Sequence, residues 1–359
     1  MRWPLMGETI TFTDRLKMAH FALTTKKFTN GDKVKQFESE WSDWLGVKHS
    51  LYVSSGSTAN FLLVAAIKEM YNLQHGDEVL VPACTWVTNV APIMQLGLKP
   101  IFCDINIQNY SFDLDDARQI ADLHPNIKMI FVTHLLGFSA QNEELAKIFP
   151  NAVIIDDICE SHGCLEPNGY TKRGASSQGS TFSFYFGHHM STIEGGMVST
   201  NDTKLYDLMK LKRSHGLARE SLYFDDYAKA YPEIDKQFLF ITDAYNFRNH
   251  EICAVLGLSQ LKRLDSMIET RRENYSDYVS ILNDNPDLFY GAKYDSTNSS
   301  FCFPFICKTP EITRKMKETF AKHGIEYRPV VSGNLLAQPF LKGHTMAIYK
   351  EHSKAQLIH

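Results

Sequence analysis

The sequence predicts an α/β fold in which a mainly parallel, seven-stranded sheet is covered by helices. Two observations carry this prediction. Seven short runs are rich in valine, isoleucine and phenylalanine, and most are apolar on both faces, as expected of strands buried between two layers of helices. Segments with helical periodicity separate most of these runs, and such strand–helix alternation is typical of a parallel sheet.

The candidate strands and the first helices follow in order along the chain. Strands are predicted at residues 51–53, 78–82, 100–103, 128–133, 152–156, 181–185 and 197–200. Before the first strand, Val34, Phe37, Trp41 and Leu45 recur at helical spacing, and Gly46 supplies a C-terminal stop for that helix. After the first strand, residues 59–70 form a second helical run.

Past about residue 215 the pattern changes, which predicts a second, smaller domain. Residues 251–272 have the pattern of one long helix, and shorter strand-like pieces follow at 301–307 and 327–331. We place the boundary near residue 240, which gives a large domain over 1–240 and a smaller one over 241–359. A length of 359 residues favours two domains.

Composition excludes several classes of function. The 37 basic and 41 acidic residues give a net charge of −4, so nothing favours nucleic acid or an anionic membrane as partner. The longest apolar run, residues 61–67, is far below the ~20 residues of a spanning helix. The N-terminus lacks the pattern of a secretory signal, and seven cysteines without a CxxC pair suit reduced thiols. We therefore expect a cytoplasmic protein.

The first segment that carries chemistry is Ser-Ser-Gly-Ser-Thr at residues 54–58, between a strand and a helix. Free backbone N–H groups at a helix N-terminus, beside small hydroxyl side chains, form an anion site. Simple N-capping by serine explains the same residues equally well. Taken alone, the segment leaves both interpretations open.

A second segment, Ile-Ile-Asp-Asp at 154–157, places two carboxylates at the C-terminal end of a buried strand. Ligand sites of open α/β sheets lie at that edge. A buried carboxylate needs a partner, and a protonated ring nitrogen would serve. A loop-capping aspartate is the more ordinary interpretation of this segment alone.

The third segment runs from Phe182 to His189 and is followed by Glu194 and two glycines. Adjacent histidines point to different faces of a regular element, so His188 and His189 do not form a natural metal site. No spaced histidine pair or Cys/His cluster is visible elsewhere, and we expect no metal. Taken alone, His188 is interpreted as a packed loop histidine.

Together, these segments resemble the DegT/DnrJ/EryC1/StrS sugar aminotransferases, fold-type I enzymes that use pyridoxal phosphate. That family carries a Ser-Gly-Ser-Thr phosphate loop, an aspartate for the pyridine nitrogen, a serine five residues before its catalytic lysine and a glutamate six residues after it. Here Ser183 lies five residues before His188, and Glu194 lies six after it. Further shared motifs lie at 28–31, 34–38, 157–161, 215–216, 245–248 and 328–334. The resemblance implies a fold-type I large domain with a smaller α+β C-terminal domain.

The position that matches the catalytic lysine is His188, and residues 173–203 contain no lysine. Without a primary amine the chain cannot form the covalent bond to the cofactor on which ordinary transamination depends. Imidazole can still move protons near neutral pH. The same replacement marks a small subgroup of the family, the nucleotide-sugar 3-dehydratases, and the motifs here resemble most its GDP-sugar, colitose-pathway branch.

The resemblance assigns roles around the cofactor, which is pyridoxal 5'-phosphate or pyridoxamine 5'-phosphate. It implies that Gly56, Ser57 and Ser183 bind the phosphate and that Trp86 stacks on the pyridine ring, although Trp86 would also suit plain core packing. Asp157 would pair with the ring nitrogen.

Further roles concern the edge of the site and the substrate. The resemblance implies that Glu160 supports the pair between Asp157 and the ring, and that Asn246 reaches the cofactor phosphate of a neighbouring subunit in a homodimer. Arg248 would clamp a substrate carboxylate. Weaker candidates for sugar and diphosphate contacts are His215, Arg219 and Arg328.

The implied reaction has two halves. L-glutamate first converts pyridoxal phosphate to pyridoxamine phosphate. With His188 as acid and base, the enzyme then removes the 3-hydroxyl of a GDP-4-keto-6-deoxyhexose, the D-mannose derivative, and ammonia is released. Relatives run on for about one more strand and helix after the region of Arg328, so a shortened C-terminus is expected.

Two alternatives remain open. A CDP-4-keto-6-deoxyglucose 3-dehydratase would also have histidine here, but it holds an iron–sulfur cluster. Cys253 stands alone in the corresponding region, with Cys302 and Cys307 some fifty residues on, which disfavours a cluster. The other alternative is a catalytically silent homologue that binds nucleotide sugars.

Overall fold

The computed structural model describes residues 2–342 and 353–358, and a seven-stranded sheet organises them. The strands are β1 (His49–Val53), β2 (Glu78–Pro82), β3 (Lys99–Cys103), β4 (Met129–Thr133), β5 (Val153–Asp157), β6 (Gly179–Ser183) and β7 (Gly196–Thr200). Their spatial order is β1-β7-β6-β5-β4-β2-β3. Strand β7 is antiparallel to both its neighbours, and the other pairings are parallel. The predicted sheet is confirmed, with strand ends shifted by at most two residues.

Helices connect and cover these strands. They are α1 (Phe12–Thr24), α2 (Asp32–Leu45), α3 (Gly56–Met70), α4 (Ala91–Gln95), α5 (Leu114–Leu123), α6 (Asn142–Ile148), α7 (Thr203–Arg213), α8 (Phe224–Ala230), α9 (Glu251–Leu261), α10 (Leu264–Asn283), α11 (Pro310–His323) and α12 (Ser353–Leu357). Gly46 adopts φ +85° directly after α2, which confirms the predicted stop. Among these helices, none combines the length and the apolar composition needed to cross a bilayer.

Apolar side chains fix the helices on both faces of the sheet. On one face, Leu63 of α3, Met209 of α7 and Phe131 of β4 belong to one cluster of buried apolar side chains. On the other face, Phe37 of α2 joins a cluster that contains Phe182 of β6. Both faces of the central strands are therefore buried, which explains why their sequences are apolar throughout rather than alternating.

The helix predicted over 251–272 is interrupted, so that prediction is wrong in its length. Lys262 and Arg263 separate α9 from α10, and Arg263 has φ −123° and ψ 6°, outside the helical region. The Arg263 guanidinium donates to the Asp14 carboxylate at 2.5 Å and to the Thr9 carbonyl oxygen at 2.9 Å. This tie to the N-terminal segment is long-range, and helical periodicity cannot reveal it.

The strand-like pieces predicted at 301–307 and 327–331 are not strands. Within the described part of this region, β structure is limited to isolated bridges, Phe289 with Cys307 and Ile325 with Trp3. Ser300 and Val331 have φ values of +53° and +46°, which end any extended run at those points. The expected shortening of the C-terminus concerns a stretch of which residues 343–352 and 359 lie outside the described residues.

Candidate active site

One edge of the sheet gathers most of the predicted site residues. Val53, Asp157 and Ser183 end β1, β5 and β6, and β7 begins at Gly196. The register pairs Gly196 with both Val53 and Ser183, so these strand ends lie side by side. Because ligands of open α/β sheets bind beyond the carboxyl ends of the strands, this edge is where a site is expected.

The start of α3 forms a narrow cradle at this edge. Ser55 caps the helix, since its hydroxyl accepts from the Thr58 N–H at 3.1 Å and its own N–H donates to the Thr58 hydroxyl at 2.9 Å. The N–H groups of Gly56 and Ser57 are then left without an acceptor inside the helix. A Cβ atom at Gly56 would lie 2.6 Å from that of Ser183, so only glycine permits this approach. The cradle can accept an anion through backbone N–H groups.

Asp157 is buried and its two carboxylate oxygens have different partners. Oδ2 accepts from the side-chain amides of Asn60 and Asn89 at 2.8 and 2.9 Å. Oδ1 accepts from the backbone N–H of Cys159 at 2.9 Å. Since a carboxylate oxygen can accept two hydrogen bonds, Oδ1 has capacity for a further donor.

His188 is half-buried, and its imidazole is bonded to the loop that follows Asp157. Its Nδ1 lies 2.6 Å from the carbonyl oxygen of Cys159. A carbonyl oxygen can only accept, so Nδ1 carries the proton and Nε2 presents the lone pair. Burial lowers the pKa of His188 from 6.5 to about 4, against the opposing influence of the Cys159 carbonyl and of Asp157. Neutral imidazole with an unprotonated Nε2 is therefore the form present near pH 7.

Rings and one thioether surround the His188 loop. The imidazole lies 5.5 Å from the Phe301 ring centroid, 6.1 Å from that of Tyr185 and 6.3 Å from that of the buried His162. The neighbouring residue, Gly187, is covered by the side chain of Met6 so closely that a Cβ atom there would collide with the sulfur. These contacts restrict the loop and favour one orientation of the imidazole.

Glu160 lies in the loop that follows β5, and the acidity of its carboxyl group is altered. Its Oε2 accepts from the backbone N–H of Leu136 at 3.0 Å. Burial raises the pKa of this carboxyl from 4.5 to about 7; the Leu136 N–H and the charge of Arg328 oppose that rise, and Asp157 adds to it. Leu136 has φ +56°, a conformation that a leucine adopts only under constraint. Glu160 is thus a carboxyl that exchanges its proton near neutral pH.

Trp86 lies near the same edge of the sheet. It directly precedes the short 3₁₀ turn Val87–Asn89, and 54% of its surface is exposed. Its backbone carbonyl accepts from the N–H of Asn89, whose amide holds Asp157. The exposed indole is available to a ligand, and plain core packing does not describe it.

Asn246, Arg248 and His215 form a second group. Asn246 pairs with Ser214 in an isolated bridge, and Arg248 Nη2 lies 3.3 Å from His215 Nε2. This group is linked to the first, because the Ser54 N–H donates to the carbonyl oxygen of Phe247 at 2.9 Å. The cradle and the second group therefore occupy one region of the surface.

The remaining predicted residues lie at its margins. Arg328 is exposed and close enough to Glu160 to influence its pKa. Arg219 is exposed, and its guanidinium donates to the Gln237 carbonyl oxygen at 3.3 Å instead of reaching the groups above. Ser57 is exposed at the start of α3. Of the predicted residues, Arg219 is the one that the contacts do not join to the site.

Sequence reasoning missed Asn60, Asn89 and the carbonyl group of Cys159. The only signal for Asn60 is a polar residue on the buried face of an otherwise apolar helix, four residues after Gly56. No side-chain pattern could identify a backbone acceptor. Within residues 2–342 and 353–358, no three His, Cys, Asp or Glu side chains form a group that could hold a metal ion.

Comparison with known proteins identifies the family and its relatives. A sequence model described as the DegT/DnrJ/EryC1/StrS aminotransferase family matches residues 11–356. The chain is 35% identical over 323 residues to the GDP-4-keto-6-deoxy-D-mannose 3-dehydratase of Yersinia pseudotuberculosis, covering 88% of this chain and 81% of that protein.

Solved structures agree in fold over nearly the whole chain. A histidine variant of GDP-4-keto-6-deoxymannose-3-dehydratase with bound GDP-perosamine has a TM-score of 0.90 at 29% identity, covering 99% of this chain and 93% of that one. A structure of GDP-4-keto-6-deoxymannose-3-dehydratase with a trapped PLP-glutamate geminal diamine has a TM-score of 0.87 at 29% identity, with the same coverage of both chains.

Proposed function

Because the chain belongs to the DegT/DnrJ/EryC1/StrS aminotransferase family, we propose that it is a pyridoxal phosphate-dependent nucleotide-sugar 3-dehydratase. Its substrates in this proposal are GDP-4-keto-6-deoxy-D-mannose and L-glutamate, as in the colitose pathway. The observation that carries the proposal is His188, a neutral imidazole with a free Nε2 at the position matched to the family's lysine. A base without a primary amine suits elimination better than amino transfer.

The residues present fit the cofactor. Gly56 approaches Ser183 so closely that only glycine fits there, and the N–H groups at the start of α3 have no acceptor inside the helix. Both features suit a phosphate. Asp157 Oδ1 has capacity for a protonated ring nitrogen, and the exposed Trp86 offers an apolar face to a pyridine ring. When bound, the pyridoxamine form would supply the amine and the electron-accepting ring of the reaction.

His188 moves the proton in this proposal. Its Nε2 removes a proton from the carbon that carries the cofactor amine, while Nδ1 remains bonded to the Cys159 carbonyl. The imidazolium formed gives up its proton more readily than an ordinary one, because burial lowers the pKa of this group to about 4. It returns the proton to the departing 3-hydroxyl of the sugar, which leaves as water. One side chain thereby serves as base and then as acid.

Charged groups at the margin recognise the two substrates. Arg248 binds a carboxylate of glutamate, and its position 3.3 Å from His215 supports a joint polar site. His215 and Arg328 contact the sugar and the diphosphate, whereas Arg219 would have to release the Gln237 carbonyl oxygen to join them. Arg328 is the best supported of these three, because its charge acts on Glu160 beside the reaction centre.

The proposal includes a homodimer in the cytoplasm. Asn246 is exposed at the edge of the site, which suits contact with the cofactor phosphate of a second subunit. The seven cysteines are free, which suits a reducing compartment. We also propose the division into 1–240 and 241–359, supported by the position of all seven strands before residue 240.

The test supplies the protein with pyridoxal phosphate, L-glutamate and either GDP-4-keto-6-deoxy-D-mannose or CDP-4-keto-6-deoxyglucose. We expect release of ammonia and of 2-oxoglutarate with the GDP sugar. Turnover of the CDP sugar alone, with iron bound to the protein, would establish the alternative dehydratase. Failure of glutamate to bleach the bound cofactor would identify a silent homologue.

The matched variants are His188→Asn and His20→Asn. The first removes the proposed base, and ammonia release should fall at least 100-fold. The second changes an exposed histidine of α1 and should leave the rate unaltered. Equal rates in the two variants would contradict the role of His188.

A further inference from the structure

Two buried side-chain amides from different elements converge on one oxygen of Asp157. Asn60 comes from α3 and Asn89 from the 3₁₀ turn that follows Trp86, and both donate through Nδ2 to Oδ2. We propose that Asn60 and Asn89 are positioning residues that fix the Asp157 carboxylate so that Oδ1 meets the ring nitrogen of the cofactor. This inference rests on the proposed function and deepens it.

The orientation of the Asn60 amide is fixed at both ends. Its Oδ1 accepts from the hydroxyl of Thr181 at 2.5 Å. Its Nδ2 donates to Asp157 and, at 3.2 Å, to the hydroxyl of Thr88. Since an ionised carboxylate can only accept, the NH₂ group must face Asp157, and the Thr181 hydroxyl then donates to the oxygen end.

The Asn89 amide is fixed in the same way by different residues. Its Oδ1 accepts from the hydroxyl of Thr85 at 2.9 Å, and that hydroxyl lies 2.7 Å from the hydroxyl of Thr133 at the end of β4. Its Nδ2 is therefore directed at Asp157 Oδ2. Asn60, Asn89 and Asp157 are all buried, so water does not compete for these bonds.

The arrangement leaves the two carboxylate oxygens unequal. Oδ2 receives two amide donors and Oδ1 receives the Cys159 N–H, and the Cys159 thiol is a further hydrogen-bond partner of the carboxylate. Rotation of the carboxylate would break three hydrogen bonds at once. The ring nitrogen consequently meets an acceptor that is already oriented, which saves the cost of orienting it on binding.

The adjacent aspartate provides an internal control. Asp156 points to the opposite face of β5, because successive strand residues alternate. It receives the same kind of bond, from Asn142 Nδ2 to Asp156 Oδ1 at 2.8 Å. If these asparagine–aspartate bonds merely stabilise the end of β5, then loss of the bonds to Asp157 and loss of the bond to Asp156 should have the same effect on cofactor binding.

The experiment compares Asn60→Leu and Asn89→Leu with Asn142→Leu. Each apoprotein is titrated with pyridoxamine phosphate labelled with ¹⁵N in the ring, and affinity is measured together with the pH at which the ring nitrogen loses its proton. Thermal unfolding of each apoprotein reports on folding. Because the two amides come from separate elements, one folded variant of the pair is sufficient.

We expect Asn60→Leu and Asn89→Leu to weaken pyridoxamine phosphate binding about ten-fold or more and to lower the ring-nitrogen pKa by about one unit. Asn142→Leu should leave both quantities at the wild-type values. If all three variants behave alike while the wild-type protein binds the cofactor, the positioning role is overturned and the proposed function stands. If the wild-type protein binds no pyridoxamine phosphate, the proposed function fails and the positioning role fails with it.

Discussion

The Nδ1 atom of His188 lies 2.6 Å from the backbone carbonyl oxygen of Cys159, and this contact leaves Nε2 as the ring nitrogen that carries the lone pair. In the proposed reaction, Nε2 is therefore the atom that takes up the proton. Burial and the neighbouring Asp157 raise the pKa of the Cys159 thiol well above its usual range, so the thiol stays protonated near neutral pH. The backbone of this loop thus orients the imidazole of His188.

The His188 imidazole should titrate far below an ordinary histidine. Its pKa is lowered from 6.5 to about 4 by burial, so the unfolded chain binds this proton between those pH values and the folded chain does not. The contribution of His188 to stability is therefore present above pH 6.5 and is lost as pH falls toward 4. NMR titration of ring carbon signals in the apoprotein measures the pKa. A midpoint near 6.5 for His188 would contradict this expectation.

Replacement of His188 by lysine should restore a covalent bond to the cofactor. The wild-type chain offers no amine between residues 173 and 203, so borohydride should not fix pyridoxal phosphate to that loop. After His188→Lys, borohydride reduction should add the cofactor mass to the peptide that contains residue 188, and dehydratase activity should be lost. Peptide mass spectrometry measures the label, and an unchanged dehydratase rate would argue against the assigned role.

Glu160 should exchange its proton near neutral pH and should respond to Arg328. Its pKa is raised to about 7 by burial, so the folded chain holds a proton between pH 4.5 and 7 that the unfolded chain releases. Its contribution to stability falls as pH rises through this window. Because Arg328 lowers this pKa, Arg328→Gln should raise it further. ¹³C NMR of labelled glutamate carboxyls measures the midpoint, and Arg219→Gln, which removes a remote arginine, should leave it unchanged.

Gly56→Ala should damage the cradle by steric overlap. The new Cβ would lie 2.6 Å from Ser183 Cβ, 2.9 Å from Ser183 Oγ and 3.1 Å from Cys159 Sγ. We expect a loss of about 1–3 kcal/mol in the free energy of unfolding and weaker binding of pyridoxal phosphate. Denaturant titration and cofactor absorbance measure these effects. Gly7→Ala is the matched control, because a Cβ atom there meets no atom within 4 Å.

Loss of the Glu38 carboxylate should destabilise the fold strongly. Glu38 Oε1 lies 2.7 Å from Arg213 Nη1 and also accepts from the Tyr52 N–H at 2.8 Å, in the buried region beneath β1. Glu38→Gln leaves Arg213 buried without its counter-charge, at a cost of about 3–5 kcal/mol. The control is Glu318→Gln, which breaks an exposed pair with Arg314 and should cost about 0–1 kcal/mol. Equal losses in denaturant titrations would refute this distinction.

The strands could be predicted because burial on both faces leaves a mark in the sequence itself. Residues 129–133 are all buried, and an uninterrupted apolar run is the direct result. The break between α9 and α10 could not be predicted, because it depends on the contacts of Arg263 with Thr9 and Asp14. The aromatic and β-branched residues at 301–307 have the composition of a strand, but apart from an isolated bridge at Cys307 they form no hydrogen-bonded pairing with a neighbouring strand among the described residues.

The candidate site likewise contains residues that the sequence predicts and partners that it does not. His188, Asp157 and Ser183 follow from motif spacing, because their chemistry resides in side chains at fixed intervals along the chain. The acceptor of the His188 proton is a backbone atom, and the support of Asp157 comes from an amide 68 residues earlier, Asn89. Such partners are brought together by tertiary structure and have no signature in the order of residues.

The contact of Met6 with Gly187 has a consequence for biosynthesis on the ribosome. The segment that carries Met6 is held by residues near the far end of the chain, since Trp3 bridges to Ile325 and the Leu5 N–H donates to the Glu326 carboxylate at 3.0 Å. The His188 loop therefore acquires its complete packing only after residue 326 has been synthesised. A nascent chain that already contains every strand of the sheet still lacks the finished packing of the His188 loop.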